Sequence, residues 1–252
     1  MEVPYQIHVY PNKKLRDYFF DFFMLFFAVT LGFIVENTRE DIAKNKREKE
    51  YIRSMIHDIK EDTAKISAYI NYNSGVVAGL DSLIKIIHEY KTGDTLLTKN
   101  MYLWYRAYAR SSYVVHFTDR TIIQLKSSGS FSTLSAAVSD SILKYEESTT
   151  SARAQENTYK QELTKALDLS INIFDYKYLS YNVNFSGKDY YKYQEPLKQY
   201  KLLTEDAFTL SKYANMLELW KQVIVVYIWN LQSVKLRAQF LIPFLIKEYD
   251  FD

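Results

Sequence analysis

Asp21 is a carboxylate within an apolar stretch, and of all residues in the chain it is the one whose surroundings most strongly limit what it can do. The stretch runs from Tyr18 to Val35, YFFDFFMLFFAVTLGFIV, and Asp21 is its only charged residue. A carboxylate near the centre of a bilayer costs at least about 2.5 kcal/mol, so it is typically kept for ion transfer or for pairing with a partner helix. Because Asp21 lies near the start of the stretch, it can also reach the membrane surface. The sequence leaves these three roles open.

Metal chemistry has little support in the sequence. The four histidines are scattered, and no two stand at the helical spacing of metal ligands. They are His8, His57, His88 and His116. The chain has no cysteine, which excludes disulfides, thiol catalysis and thiolate metal sites. We therefore expect no metal site and no cofactor.

Catalytic motifs are also absent from the sequence. It contains neither the G-x-S-x-G nucleophile turn nor a glycine-rich phosphate-binding loop. The acidic pairs Glu61, Asp62 and Glu146, Glu147 fall on polar faces of predicted helices, where solvation is the ordinary explanation. An enzyme would need a constellation that the linear sequence does not reveal, so enzymatic activity is the third of our hypotheses.

The element that positions Asp21 is a predicted membrane span. At about 1.5 Å per residue, eighteen helical residues extend roughly 27 Å, close to the thickness of bilayer hydrocarbon. Lys13, Lys14 and Arg16 precede the stretch, as in a signal peptide, but it is longer than a signal core and no A-x-A-like cleavage site follows. We predict an N-terminal extension over 1–14, a transmembrane helix over 15–36 and a helical domain over 37–252.

The orientation of the span is less constrained by charge. Three basic residues precede it and five follow it closely, and simple counting would place the C-terminal domain inside the cell. Those that follow are Arg39, Lys44, Lys46, Arg47 and Lys49. Long domains translocate largely regardless of such charges. With no cytosolic ligand motif present, we expect an inner-membrane protein with a periplasmic C-terminal domain.

The remaining composition predicts long helices. Only six glycines and four prolines occur in 252 residues, and an apolar stripe at Ile52, Met55, Ile59 and Ile66 follows the helical period. The net charge of +2 is spread along the chain and gives no basic stripe for nucleic acid. We therefore expect an all-α fold in which the transmembrane helix continues into a long helix and an antiparallel bundle follows.

Helix boundaries can be predicted from turn and capping residues. The first helix is expected to stop near Asn73 to Gly75. The later helices are expected at 76–90, 98–111, 121–128, from 136 to about 178, 203–216 and 217–246. Gly93 and Gly129 are expected to close helices in the left-handed conformation, and Pro243 is expected to kink or end the last one. The run VIVVYIWNL within the last helix is too short to span a bilayer and is expected at the centre of the bundle.

Two segments resemble a known family. The span closes in VENTRE and leads into a charged helix, and LKSSGSFSTL precedes a helix that ends in ILKY. These features, over residues 15–147, resemble an uncharacterised family of single-span Bacteroidota membrane proteins. Thr38 stands where that pattern has a tryptophan at the membrane exit. The resemblance implies a membrane anchor and a helical domain, and it implies no activity.

A second, looser resemblance concerns only layout. One early aspartate on a single span before a large domain is similar to the ion-driven stator subunits of the flagellar and TonB-energising type. On a helix, Asp21 shares a face with Leu25, Ala28 and Gly32, and the two small residues would allow a neighbouring helix to approach closely. This face is the predicted membrane partner face, and the phenylalanines would then meet lipid.

Tyrosine is abundant, at 23 residues, and is concentrated after residue 175. Such side chains are enriched in interaction surfaces, but they also anchor loops by burial. The candidate interaction loop contains Tyr176, Tyr178, Tyr181, Tyr190, Tyr191 and Tyr193. The leading hypothesis is a non-enzymatic, membrane-anchored interaction or scaffold subunit of a bacterial envelope complex. The alternative is an auxiliary subunit of an ion-driven or transport assembly that uses Asp21. The expected partners are membrane lipid and other membrane proteins or further copies of the chain, without nucleic acid.

Overall fold

The computed structural model describes residues 14–110, 113–179, 182–183, 191–192 and 200–251. The elements are α1 (Leu15–Glu89), α2 (Thr95–Tyr108), α3 (Arg120–Ser127), a 3-10 helix (Ser130–Thr133), α4 (Ala136–Ser170), a second 3-10 helix (Tyr176–Leu179), β1 (Asn182–Val183), β2 (Tyr191–Lys192) and α5 (Ala207–Glu248). The strands form one two-residue antiparallel pair. The expected all-α fold class and the long N-terminal helix are confirmed, whereas the predicted 1–14 extension lies, apart from Lys14, outside the described residues.

Contacts divide the chain into two compact units, Met1–Tyr51 and Ile52–Asp252. In the first unit α1 carries the apolar stretch, with a window of eighteen residues whose mean hydropathy is 2.1. None of that window is buried, and its large apolar side chains are between 36% and 73% exposed. Neighbouring phenylalanine rings contact one another along the helix, as between Phe19 and Phe23, whose ring centroids are 4.6 Å apart.

The predicted stop of the first helix near Asn73 is wrong, because α1 continues to Glu89. Asn73 Nδ2 donates to the Tyr69 carbonyl at 3.2 Å, and Ser74 Oγ donates to the Ile70 carbonyl at 2.7 Å. Both side chains therefore bond back to the preceding turn and do not end the helix. Buried apolar residues continue the stripe through Leu80 and Leu83, so packing overrides the local stop signal.

The connection after α1 agrees with the capping analysis. Gly93 adopts a φ of 81°, and Asp94 caps α2 by accepting a hydrogen bond from the backbone N–H of Leu97 at 2.9 Å. Gly129, with a φ of 73°, separates α3 from the 3-10 helix that follows it. Ser135 then caps α4 by accepting from the N–H of Val138 at 3.3 Å. The left-handed conformations of Gly93 and Gly129 confirm the prediction for these two glycines. The caps at Asp94 and Ser135 were not predicted, and Asp119 at the start of α3 makes no side-chain capping bond.

Two boundaries near the C-terminal end differ from prediction. Helix α4 ends at Ser170, short of residue 178, and α5 is a single helix where two were predicted. No glycine or proline interrupts α5 before Pro243, so nothing breaks the helix near Met216. Pro243 lies inside α5, and the helix continues to Glu248.

The directions of the long helices follow from their contacts in the second unit. Tyr145 Oη donates to Asp62 at 3.4 Å and Tyr159 Oη to Asn73 at 3.5 Å, so α4 runs parallel to this part of α1. Helix α5 runs antiparallel to α1, since its later residue Tyr227 packs on Tyr69 while its earlier residue Lys221 pairs with the later Asp81. The Tyr69 and Tyr227 ring centroids are 4.9 Å apart, and Lys221 Nζ lies 2.6 Å from Asp81 Oδ1.

The core between these helices is rich in aromatic rings. Tyr159 packs between Trp220 and Tyr227, with ring centroids 6.1 and 5.8 Å apart, and all three are fully buried. The predicted central run VIVVYIWNL supplies Ile224, Tyr227 and Leu231 to this core, while Val226 and Trp229 of the same run are exposed. The run is therefore buried on one side of α5 only.

Candidate functional site

A polar site in the second unit is built on two buried aspartates of α1. Asp58 and Asp62 stand one helical turn apart, on the same face as Met55, Ile59 and Ile66. They are 3% and 2% exposed, so both carboxylates leave water when the chain folds. A buried carboxylate requires hydrogen-bond donors to offset its desolvation.

Those donors come from the segment that leads into α3 and from the first two residues of α3. The backbone N–H of Thr118 donates to both Asp62 oxygens, at 2.9 and 3.0 Å. Arg120 donates from Nε and Nη2 to Asp58 Oδ1, at 2.9 and 2.6 Å, and the Thr121 hydroxyl donates to Asp58 Oδ2. Lys65 Nζ donates to the Thr118 hydroxyl at 3.0 Å. The two aspartates therefore fasten the start of α3 to α1.

A cavity of about 230 Å³ lies beside these carboxylates, between α1, α3 and α4. Tyr145, Thr149 and Arg153 of α4 line it opposite the aspartates. Arg153 Nη2 pairs with Asp119 Oδ1 at 2.5 Å. Helix α1 thus contributes both the two carboxylates and the apolar side chains of Met55 and Ile59 to the lining.

Burial sets the protonation behaviour of this site. It raises the pKa of Asp62 above the ordinary value of 3.8, although the bonds from Thr118 and the charge of Lys65 oppose the shift. Burial also raises the pKa of Tyr145, and the nearby Asp62 carboxylate raises it further. Glu61 behaves in the opposite way, because its hydrogen bond and ion pair with Lys65 lower its pKa. The carboxylates are held by main-chain and side-chain donors, which fix the start of α3 against α1.

This site was missed by the sequence reasoning, which assigned Asp62 together with Glu61 to a solvated face. That assignment is wrong for Asp62, which is 2% exposed, while the Glu61 side chain is 43% exposed. A usable signal was present in the spacing. Asp58 and Asp62 fall within the i, i+3, i+4 stripe of buried residues on α1, where a charged residue needs a partner.

The predicted membrane partner face lies in the first unit. Asp21, Leu25, Ala28 and Gly32 are all exposed on α1, and Leu25 is 67% exposed. A Cβ added at Gly32 would have no atom within 4 Å. On this exposed face the small residues Ala28 and Gly32 leave open space beside the helix, and Asp21 adds one carboxylate.

Of the candidate interaction loop, the structure places Tyr176 and Tyr178. Tyr178 is only 7% exposed and packs on Tyr102, with ring centroids 5.5 Å apart. Tyr176 is 38% exposed, and its Oη lies 2.6 Å from that of Tyr105. Both rings therefore anchor this segment to the core around α2. Tyr181, Tyr190 and Tyr193 lie outside the described residues, as does the side chain of Tyr191, whose backbone belongs to β2.

Arg106 of α2 and Arg110, which follows the end of α2, hold the same segment through its backbone. Arg106 Nη2 donates to the Tyr178 carbonyl at 2.7 Å, and Arg110 Nη1 donates to the Leu179 carbonyl at 3.4 Å. Tyr102 Oη donates to the Lys201 carbonyl at 2.8 Å and accepts from the backbone N–H of Asp175 at 2.7 Å. Helix α2 thereby ties together both ends of the region between α4 and α5.

Among the described residues, no three His, Cys, Asp or Glu side chains are grouped so that they could hold a metal ion. Comparison with family models, with curated proteins and with solved structures finds no match to this chain.

Proposed function

We propose that this chain is a non-enzymatic, membrane-anchored interaction or scaffold subunit of a bacterial envelope complex. In this proposal residues 15–36 cross the inner membrane and the helices of the second unit form a periplasmic bundle. Membrane lipid and other membrane proteins are its partners. We also propose that the chain belongs with the single-span Bacteroidota family that residues 15–147 resemble.

The observation that carries the proposal is the exposure of the apolar stretch. A buried core helix of similar hydropathy would be covered by protein, yet none of the eighteen-residue window is buried. A contiguous apolar surface of this size is costly in water and favourable in hydrocarbon. Exposure on all sides of the helix thus supports lipid as its environment.

The continuity of α1 supports an uncleaved anchor over a signal peptide. The same helix that carries the apolar stretch also supplies Ile52, Ile59 and Ile66 to the core of the second unit. Cleavage after the stretch would cut an uninterrupted helix, whereas signal cleavage sites lie in small-residue segments of the A-x-A type. An anchor leaves α1 intact.

Membrane fractionation tests the proposal. We expect the full chain to stay in the membrane pellet after carbonate washing and the chain lacking residues 1–36 to be soluble and helical by circular dichroism. Full-length protein in the carbonate supernatant would contradict the anchor. Membrane retention of the truncated chain would point to a second insertion, with Gln222 to Leu231 the first segment to examine.

Orientation is tested separately with reporters at the C-terminal end. A periplasmic domain predicts active alkaline phosphatase and an inactive cytosolic reporter fused at the same residue. The reverse pattern would place the domain in the cytosol, while the anchor itself would stand.

The alternative function, an auxiliary subunit of an ion-driven or transport assembly, draws support from Asp21 alone. Its carboxylate lies in the exposed apolar part of α1, on the face that includes Ala28 and Gly32. Ion transfer requires that charge, whereas a scaffold needs only the helix surface. Substitution of Asp21 therefore separates the two functions.

A further inference from the structure

The cavity of about 230 Å³ beside Asp58 and Asp62 is large enough for a small organic molecule. An apolar cavity of about 150 Å³ can hold benzene, so this one has room for a molecule of that size or slightly larger. Ile123, Glu146 and Arg153 line the cavity and are partly or largely exposed, so a molecule can enter past them without disturbing the core. The charges and hydrogen bonds of the lining then determine which chemistry fits.

Of the four carboxylates that line the cavity, three have a cation of their own at 2.5 or 2.6 Å. These pairs are Arg120 with Asp58, Arg153 with Asp119, and Lys126 with Glu146. Asp62 is the exception, because Lys65 Nζ is 3.6 Å from its Oδ1 and only 2.8 Å from Glu61 Oε1. A shared cation compensates a buried carboxylate only in part, and burial accordingly raises the pKa of Asp62. The lining therefore keeps an excess of negative charge at Asp62.

Hydrogen bonding in the lining also favours a ligand with donors. The hydroxyls of Thr121, Tyr145 and Thr149 already donate to oxygens of the protein. A carboxylate can accept about four hydrogen bonds, and the bond that Asp62 accepts from Tyr145 is long, at 3.4 Å. These three hydroxyls thus offer a ligand no donor, whereas Asp62 retains acceptor capacity.

The rest of the lining is apolar. Met55 and Ile59 of α1 and Ile122 of α3 add hydrocarbon surface next to the carboxylates. A hard metal ion binds through several oxygen ligands, and the described residues include no group of three His, Cys, Asp or Glu that could hold one. An ammonium group on a short hydrocarbon chain suits both parts of the lining, because its head has one positive charge and three donors and its chain buries apolar area.

We propose that this cavity binds a small organic cation, a primary ammonium on a short hydrocarbon chain, with the ammonium at Asp62 and the chain against the apolar lining. This binding site goes beyond the scaffold role. A ligand held between α1, α3 and α4 stabilises the folded state in proportion to its occupancy, so the stability of this part of the bundle would follow the ligand concentration. Binding here does not depend on the membrane anchor.

Butylammonium and 1-butanol are a matched pair of probes, since they have the same chain length and only the first is charged. Saturation-transfer NMR on the full chain in nanodiscs of zwitterionic lipid gives both dissociation constants. We expect butylammonium to bind at least about tenfold more tightly, because only the cation compensates the Asp62 carboxylate. Equal binding of the two probes, or no saturable binding of butylammonium, would overturn the proposal.

Asp62→Asn retains the size of the side chain and removes its charge. It should weaken butylammonium binding about tenfold or more and leave 1-butanol binding within about twofold. Asp81→Asn is the matched control, because Asp81 is an exposed carboxylate of the same helix that pairs with Lys221 at 2.6 Å. It should leave both dissociation constants unchanged. Unchanged butylammonium binding in Asp62→Asn, or an equal loss in Asp81→Asn, would overturn the proposal.

Thr149→Leu tests the location without removing a charge. Thr149 lines the cavity and is 4% exposed, so the larger leucine side chain takes up part of the space. Butylammonium binding should fall about tenfold or more, because a filled cavity excludes the chain of the ligand. Unchanged binding would place the probe elsewhere and overturn the proposal. If Asp62→Asn fails to fold by circular dichroism, this variant and the comparison of the two probes on the wild type decide the question.

Discussion

The backbone N–H of Thr118 donates to both carboxylate oxygens of Asp62, at 2.9 and 3.0 Å. This bifurcated hydrogen bond joins α1 to the segment that leads into α3. Asp62 is only 2% exposed there. The Asp62 carboxylate thus satisfies the main-chain N–H of Thr118, but the loss of its own hydration on burial costs free energy. Which of these two effects dominates can be determined from the pH dependence of stability.

Burial raises the pKa of Asp62, so the folded state holds its proton more tightly than the unfolded state does. Its contribution to the free energy of unfolding is then largest below the ordinary pKa of 3.8 and is lost as pH rises through the folded-state pKa. Asp62→Asn removes this titration. The free energy of unfolding of the wild type minus that of the variant should fall as pH rises above the ordinary pKa of 3.8. A rise over that range would mean that the hydrogen bonds outweigh burial.

Glu61→Gln, at the neighbouring residue, is a control for which the stability difference should depend on pH in the opposite direction. Lys65 lowers the pKa of Glu61, so its contribution is present above the ordinary pKa of 4.5 and is lost as pH falls through the lowered value. The stability difference between wild type and Glu61→Gln should therefore increase with pH. Denaturant titrations of both variants at matched pH values give the comparison directly.

Two glycines of α1 should respond oppositely to alanine. A Cβ at Gly79 would lie closer than 3.0 Å to three ring carbons of Tyr108, whereas a Cβ at Gly75 would meet nothing within 4 Å. Gly79→Ala should cost about 1–3 kcal/mol through overpacking. Gly75→Ala should add about 0.5–1 kcal/mol, because alanine is the better residue in a helix. Thermal unfolding of the two variants checks both signs, and equal effects would show that α2 does not pack closely on α1.

The hydroxyl of Tyr105 joins two other hydroxyls, Ser170 Oγ at 2.7 Å and Tyr176 Oη at 2.6 Å. Tyr105→Phe leaves the fully buried Ser170 with one partner fewer and should cost about 1–2 kcal/mol. Tyr213→Phe is the control, since Tyr213 Oη is buried without a hydrogen-bond partner among the described residues. Its removal should leave the free energy of unfolding unchanged or raised. A loss at Tyr213 as large as that at Tyr105 would contradict the assigned bonds.

Asp21 separates the two proposed functions. Asp21→Asn retains size and hydrogen bonding without charge, so ion transfer should be lost while assembly survives; Asp21→Leu should disturb both. Single cysteines at Ala28 and Gly32 should crosslink to a neighbouring protein if this face packs against one. Crosslinking from Phe23 and Phe27, with none from Ala28 and Gly32, would show that the opposite face is in contact and that Asp21 lies at the membrane surface.

Local signals in the sequence predicted those elements whose causes are local. The Gly93 turn, the start of α4 at Ala136 and the apolar stripe of α1 all depend on residues within one or two turns. The helix predicted at 76–90 is the end of α1, and the helix predicted at 98–111 is α2, which begins at Thr95 and ends at Tyr108.

Long-range packing decided the remaining features, because the partner residues lie far apart along the chain. Asn73 was predicted to end the first helix. Its side-chain amide instead donates a hydrogen bond within α1, and the side chain lies against Tyr159 of α4. Asp62 looked solvated because its donor, the Thr118 N–H, lies 56 residues further along the chain. Such pairings become visible only when the helices have been placed side by side.

The three tryptophans of the chain occupy three different environments, which makes them built-in fluorescence reporters. Trp220 is fully buried among tyrosines, Trp104 stacks on Tyr108 with ring centroids 5.3 Å apart, and Trp229 is 63% exposed on α5. A soluble quencher should therefore act first on Trp229, and shielding of that emission would report occupancy of α5 without any label. Loss of energy transfer from the surrounding tyrosines to Trp220 would report melting of the core.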